Sequence, residues 1–346
     1  MEALPHMKKN VLAILAVILS VLVVTILLPA ALIAVWPDKN PAKTQNPSTL
    51  VELDITPNDP TVDVYLTGQN KLVTMPLEAY VRGVVAAEMP VHFQPEALKA
   101  QAVAARTYIV RRMANGKKSE LHPAADVSDN HNEGQAYSGE DKLKTRWGAA
   151  DYQKNLSKIN AAINATKGQI ALYEGKPIEA LFFSTSSGKT ENSEDYWGSQ
   201  VPYLRSVDSP WDAHSDKFTA TQDIPLTEFY TKLGLQAIPA ASIGSLIKPL
   251  ERSATEHIKK IQVGDKTFTG PDFRGKLGLR STLFTWQVNA AAGTISFFTK
   301  GFGHGVGLSQ YGANGMAQDG KKWDEIIRHY YQGVTLGKVS DVLQNN

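Results

Sequence analysis

The chain has 346 residues, enough for a full hydrophobic core, and its 36 basic and 34 acidic side chains leave a formal charge of +2. With no basic tract and no acidic tail, that balance gives no footprint for nucleic acid. Cysteine is absent, which excludes a disulfide framework, a thiolate zinc site and a cysteine nucleophile, so chemistry must use oxygen and nitrogen groups.

No charged residue lies between Lys9 and Asp38 in NVLAILAVILSVLVVTILLPAALIAVWPD, a run long enough to span a bilayer. It exceeds a signal-peptide core and its end, PAALIAV, lacks an A-x-A site, so an uncleaved anchor through residues 11–36 is expected. Lys8 and Lys9 place the N-terminus in the cytoplasm by the positive-inside rule. The expectation is a single-pass protein of the cell membrane, with residues 1–36 as cytoplasmic tip and anchor. A polar, proline-rich tether follows at 37–49, then an ectodomain at 50–338 and a tail at 339–346.

The ectodomain opens with TVDVYLTGQNKLVTM, which alternates on both sides of Gly-Gln-Asn as a hairpin does. The helical run PLEAYVRGVVAAEMP follows. At about 100° per residue, Leu77, Val81, Val84 and Glu88 share one stripe, with Tyr80 and Val85 beside it. Pro90 disfavours helix at Met89, so Glu88 sits in the last turn. There the macrodipole favours cations over carboxylates. A second helix starts at Pro95, carries Glu96 in its first turn and Arg111 and Arg112 near its end, and stops at Asn115-Gly116. Leu98, Ala102, Ala105 and Ile109 form its core stripe, and Lys99, Val103, Arg106 and Val110 an adjacent one.

Residues 116–157 read as a loop-rich excursion. QIALYEGKPIEALFFSTSS reads as a hairpin turning at Gly175, and a loop with Trp197, Pro202 and Trp211 follows. Pro225 to Ala254 looks helical with a linker, IKKIQVGDKTFTG and FTWQVNAAAGTISFFTKG are hairpins, and KKWDEIIRHYYQG is a helix capped by Gly333. Hairpins and helices without βαβ alternation give an α+β class.

Several motifs fail their chemistry. STSSGKT ends like a phosphate loop, but Phe183 stands where the first glycine is needed, and no G-x-S-x-G elbow occurs. The hydroxyl run Ser184, Thr185, Ser186 and Ser187 suits sugar hydroxyls or an ordinary polar turn. GFGHGVGLSQYG puts glycine at every second position, a strand with one bare face for close approach, and sets His304 on the other face. His122, Asp126, Asp129, His131 and Glu133 cluster in sequence but match no zinc spacing, so a solvated loop is expected. Glu88 has two readings. One is a salt bridge to Lys99 or Arg106, the other a general acid whose burial and helix C-terminus raise its pKa.

Three stretches, VRGVVAAEMPVHFQPEALKAQAVAARTY, FFSTSSGKTENSEDYWGSQVPYLRSVDSPWD and GFGHGVGLSQYGANGMAQDGKKWDEIIRHYYQG, together resemble the SpoIID/LytB family over about residues 50–335. The resemblance implies a lytic transglycosylase that cleaves peptide-stripped peptidoglycan strands in the septal wall during spore engulfment. It implies as partners an amidase/endopeptidase, stage II sporulation protein P, and a membrane protein, stage II sporulation protein M. The family's catalytic glutamate falls on Glu88. Lys99, Gln101 and Arg106 are candidates to position it or the glycan, and Ser184 to Ser187, Tyr203, His304, Gln310 and Tyr311 are candidates for a sugar groove. Glu88 can serve first as acid and then as base. Asp195, Asp208 and Asp212 remain as possible second carboxylates. Some relatives hold zinc through two cysteines and a histidine. Here Ser128, Glu133 and Gly134 stand in that segment with His122 alone kept, so no metal or other cofactor is expected. The rival reading is a non-catalytic, glycan-binding activator of a partner amidase.

Overall fold

Alternation around Gly68 predicts a hairpin, and the computed structural model, which describes residues 50–130, 132–237 and 239–343, forms it. Strand β1 (Thr61–Leu66) pairs antiparallel with β2 (Lys71–Pro76), with Val64 opposite Val73. Val62 and Val64 are buried. The expected anchor and tether lie outside the described residues, as does His131. Among the described residues no helix is long and apolar enough to cross a membrane.

β2 runs directly into α1 (Leu77–Glu88), and α2 (Pro95–Ala114) begins at its proline as expected. Leu77, Val81 and Val84 of α1 are buried, as are Leu98, Ala102, Ala105 and Ile109 of α2. The small side chains of α2 allow close packing, so α1 and the elements that follow gather around it in the first core.

Residues 116–157 are not one loop. The short strand β3 (Val127–Ser128) pairs parallel with β1, and α3 (Glu140–Ala165) occupies the rest and more. Its backbone breaks helical geometry at Gly148 (φ 72°, ψ 161°), so the buried positions Leu143, Ile159 and Ile163 follow no single helical phase. That break, with an otherwise polar surface, hid the helix from periodicity.

β4 (Gln169–Tyr173) turns at Gly175 into β5 (Lys176–Pro177), the predicted hairpin, though its second arm pairs over only two residues. β6 (Phe182–Phe183) and α4 (Ser193–Trp197) follow. A second core then starts with β7 (Thr219–Pro225), α5 (Leu226–Leu233) and α6 (Ala240–Leu246). The helical reading of Pro225 to Ala254 fails at its end, because β8 (Ile247–Arg252) is a strand. β8 is an edge strand with register shifts around Pro249, one of the few settings in which a sheet tolerates proline. β9 (Ile258–Val263), β10 (Lys266–Thr269), α7 (Gly270–Leu277), β11 (Phe284–Asn289) and β12 (Thr294–Lys300) complete this lobe, with both predicted hairpins formed. Its centre is aromatic: Phe273 stacks on Phe284 at 5.4 Å, and Phe284 meets Phe297 edge-on at 5.6 Å.

The chain returns to the first core through residues 301–307. These do not form a strand, because Gly301, Gly303, Gly305 and Gly307 all have positive φ. Close approach is real, but to the chain itself: a Cβ on Gly307 would sit 2.2 Å from the Leu181 carbonyl oxygen. β13 (Leu308–Ser309) then pairs parallel with β6. α8 (Gln310–Gln318), α9 (Trp323–Tyr330), β14 (Thr335–Lys338) and α10 (Ser340–Leu343) close the fold, with β14 antiparallel to β4. The C-cap of α9 is Tyr331 rather than a glycine, and Gly333 adopts φ 68° two residues later. Helices, antiparallel sheets and two short parallel pairs make an α+β protein.

Candidate functional site

Glu88 is the last residue of α1, and Met89 leaves the helix at φ −110°, as Pro90 requires. The carboxylate is half-buried. Its Oε1 accepts the Ala136 backbone N–H at 2.7 Å, and its Oε2 faces the Gln310 amide nitrogen at 3.5 Å. The Ala136 donor arrives there because of Gly83. A Cβ on Gly83 would sit 2.2 Å from the Tyr137 ring, and the bare backbone lets that ring lie on α1 and stack on Tyr80 at 5.7 Å. Ser138 N–H then bonds Gly83 O at 3.2 Å, laying residues 136–138 along the helix. Arg146 donates to Ala86 O at 2.8 Å, placing a cation on the exposed carbonyl end of α1, where the helix dipole favours one.

Gly83→Ala should therefore lower stability. Overpacking of about 1–3 kcal/mol outweighs a helix-propensity gain of about 1 kcal/mol, because the stacked Tyr137 ring has no easy retreat. The expected result is a lower urea midpoint than that of the parent.

The salt-bridge partners proposed for Glu88 pair elsewhere. Lys99 bonds Glu96 at 2.6 Å. Arg106 is fully buried and grips Glu78 through two bonds, Nε to Oε1 at 2.9 Å and Nη2 to Oε2 at 2.6 Å, with Nη1 on Gln169 O. An enclosed guanidinium packs the α1–α2 interface and cannot touch a glycan. Gln101 and Gln310 do converge on Glu88. The Gln310 amide nitrogen lies 3.5 Å from both Glu88 Oε2 and Gln101 Oε1, and the buried Gln101 amide nitrogen has no hydrogen-bond partner among the described residues. Next along α8, Tyr311 packs edge-on against Phe93 at 4.9 Å, donates to Asp216 at 3.1 Å and lies 5.3 Å below Lys217 Nζ. Phe93, Asp216 and Lys217 carried no sequence signal, and neither did the Ala136 backbone donor.

The hydroxyl run serves mainly the fold. Ser184 O accepts the Tyr311 backbone N–H at 3.0 Å, and Thr185 pairs through its backbone with Phe302. Ser186 donates to Asp212 at 2.7 Å, as do Ser209 and Ser309 at 2.6 Å each. This knot ties the start of α8, and so Gln310, to two loops. Tyr203 is a core residue whose hydroxyl accepts the Glu179 N–H at 2.9 Å. His304 donates through Nε2 to Phe182 O at 3.0 Å and accepts the Val306 N–H at Nδ1. Burial and Arg274 hold its pKa down at about 4, so its imidazole is neutral and fixed by those two hydrogen bonds.

Ser187 reaches across to the second lobe, where its hydroxyl meets His257 Nε2 at 3.0 Å, and Glu191 lies 3.9 Å from the same nitrogen. Burial, with Asp195 adding to it, raises the Glu191 pKa from 4.5 to about 7 against the Ser253 hydrogen bond and Lys259. Burial, then Arg252, lowers His257 from 6.5 to about 4, with Asp195 opposing. The folded state keeps the Glu191 proton that the unfolded chain releases above pH 4.5, so this contribution declines as pH rises toward about 7. For His257 the unfolded chain holds the extra proton between about pH 4 and 6.5, so its contribution grows with pH across that window. The two slopes oppose. Glu191→Gln removes the falling one, so the urea midpoint of that variant should climb more steeply from pH 4.5 to 6.5 than that of the parent.

The other acids are bonded elsewhere. Asp195 pairs with Lys259 at 3.1 Å, the exposed Asp208 with Lys189 at 3.0 Å, and Asp212 is sealed among serines. Among the described residues, no three His, Cys, Asp or Glu side chains could hold a metal ion together. In the segment compared with a zinc site, the described side chains hydrogen-bond to one another and to nearby backbone. Ser128 donates to Glu133, which also accepts from Ser119 and the Glu120 N–H, while Gly134 offers no ligand and packs under the Tyr108 hydroxyl. His122 accepts the Ala124 N–H and packs near Tyr65.

A family model described as Stage II sporulation protein, SpoIID, matches residues 65–173. The chain is 49% identical over 282 residues to Stage II sporulation protein D of Bacillus amyloliquefaciens, covering 82% of this chain and 80% of that one. It is 45% identical, with the same coverage, to Stage II sporulation protein D of Bacillus subtilis. It is 27% identical over 307 residues to a protein named Amidase enhancer, also of Bacillus subtilis, covering 74% of this chain and 40% of that one.

Proposed function

The chain belongs to the SpoIID family, and from that membership we propose that it acts on the cell wall in sporulation, as a lytic transglycosylase with Glu88 as its acid and base. The substrate in this reading is the peptide-free glycan strand, cut between N-acetylmuramic acid and N-acetylglucosamine. The observation that carries it is the setting of Glu88: a half-buried carboxylate at a helix end, held by the Ala136 N–H and Gln310, while Lys99 and Arg106 are engaged by other acids.

In the proposed reaction, protonated Glu88 gives its proton to the glycosidic oxygen as the bond from muramyl C1 to that oxygen breaks. Positive charge develops at C1. The muramyl C6 hydroxyl attacks C1 and returns its proton to Glu88, closing a 1,6-anhydro ring. One carboxyl group suffices, and no metal takes part in these steps. That economy agrees with Asp195, Asp208 and Asp212 each being bonded elsewhere. The reading places the chain outside the cytoplasmic face of the cell membrane, anchored through residues 11–36, with stage II sporulation proteins P and M as partners.

The similarity to the Amidase enhancer favours a second reading, a glycan-binding activator that cleaves nothing. Product analysis separates the two. The detergent-solubilised protein is incubated with peptide-free strands and the ends are examined by mass spectrometry. Anhydro-muramyl ends support the lyase and new reducing ends would mean a hydrolase. Uncut strands with a stimulated amidase would establish the activator.

A further inference from the structure

Alone among the described tryptophans, Trp197 is exposed, at 48%. A single exposed apolar residue is ordinary, but this one is held in place. Its ring packs at 4.7 Å against Tyr196 and at 5.1 Å against His304, whose imidazole is fixed by hydrogen bonds at both nitrogens. Gly198, at φ 81°, turns the chain away immediately after it and ends α4. The indole is thus braced by neighbouring rings while remaining open to solvent.

Beside it lies a cavity of about 550 Å³, walled by α4 from the first core and by β8, β9, β10 and the start of α7 from the second. No wall residue comes from α1, α2 or α8, the helices that hold Glu88, Gln101 and Gln310. Asp195 and Thr267 supply polar groups, and Phe268 lines the cavity with them. Lys259 is engaged by Asp195 at 3.1 Å and by Glu251 at 2.8 Å, and Glu194 by Arg205. Lys260 is exposed and is the one charged wall residue with no ion pair among the described residues.

We propose that this cavity is a second saccharide subsite, which takes a sugar of the same glycan strand away from the bond that Glu88 cleaves. It rests on the reading of the substrate given above. An open indole face suits the C–H face of a pyranose ring, and the adjoining acid and hydroxyl groups suit its hydroxyl and acetamide groups. The feature peculiar to a peptide-stripped strand is the free lactyl carboxylate on each muramyl sugar. Lys260 is the cation placed to meet it.

The test uses the full chain in detergent with the Glu88→Gln substitution, so that strands bind without being cut. Affinity for peptide-free glycan strands is measured by titration calorimetry, before and after Trp197→Ala or Lys260→Glu is added. Trp197→Ala should weaken binding about tenfold, equivalent to about 1.4 kcal/mol, and Trp197→Phe should keep most of it. Lys260→Glu, a surface change that leaves the tryptophan in place, should weaken strands but spare the neutral hexamer of N-acetylglucosamine. Unchanged thermal midpoints show that the variants fold. If the Glu88→Gln protein binds strands and neither Trp197→Ala nor Lys260→Glu alters the affinity, the subsite is wrong while the glycan reading stands. If the Glu88→Gln protein binds no strands at all, the glycan reading fails and takes the subsite with it.

Discussion

Arg106→Met is expected to destabilise the protein by about 3–5 kcal/mol, a large share of the stability of a typical domain. Arg106 has no exposed surface, and Glu78 is 3% exposed. Removing the guanidinium leaves the Glu78 carboxylate buried with one remaining donor among the described residues, the Gly168 N–H at 3.1 Å, and strips Gln169 O of its bond to Nη1. The loss measures an uncompensated charge more than the value of the pair. A second substitution separates the two. Arg106→Met combined with Glu78→Leu replaces both ions by apolar groups of similar reach and should recover most of the lost stability, because the desolvation of both charges is no longer required. Urea denaturation of the parent, the two single variants Arg106→Met and Glu78→Leu, and the double variant gives the coupling directly. If the double variant is as unstable as Arg106→Met alone, the pair is not the cause.

This pair also shows where sequence reasoning stops. The placement of Glu88 on an apolar stripe at a helix end was legible, since helical period and a following proline are local signals. Which acid would receive Arg106 was not. Glu78 lies ten residues before Glu88 on the same helix, and only the crossing of α1 and α2 decides between them. The hairpins were readable for the same local reason, while α3 was masked by its break at Gly148. The glycine alternation at 301–307 did mark close approach, but positive φ at each glycine makes it a packing loop rather than a strand. The hydroxyl run suited a sugar surface or a polar turn equally, because composition does not reveal that a buried Asp212 takes the Ser186 hydroxyl or that Ser187 meets His257. The Ala136 donor had no signature at all, since every residue except proline carries the same backbone N–H.

Glu88→Gln is the decisive substitution for the proposed chemistry. Glutamine keeps the shape of the side chain and can still face Gln310, but its amide cannot deliver a proton to a leaving oxygen or take one back. Losing a positioned general acid lowers a rate by about 10²- to 10⁴-fold. Folding should be nearly unaffected, because Glu88 is only half-buried and sits at the end of its helix. The measurement is the rate of anhydro-muramyl end formation from peptide-free strands, followed by mass spectrometry with parent and variant at equal folded concentration. The account predicts a loss of at least about a hundredfold with strand binding retained; anhydro-muramyl ends forming at the parental rate in the variant would contradict it.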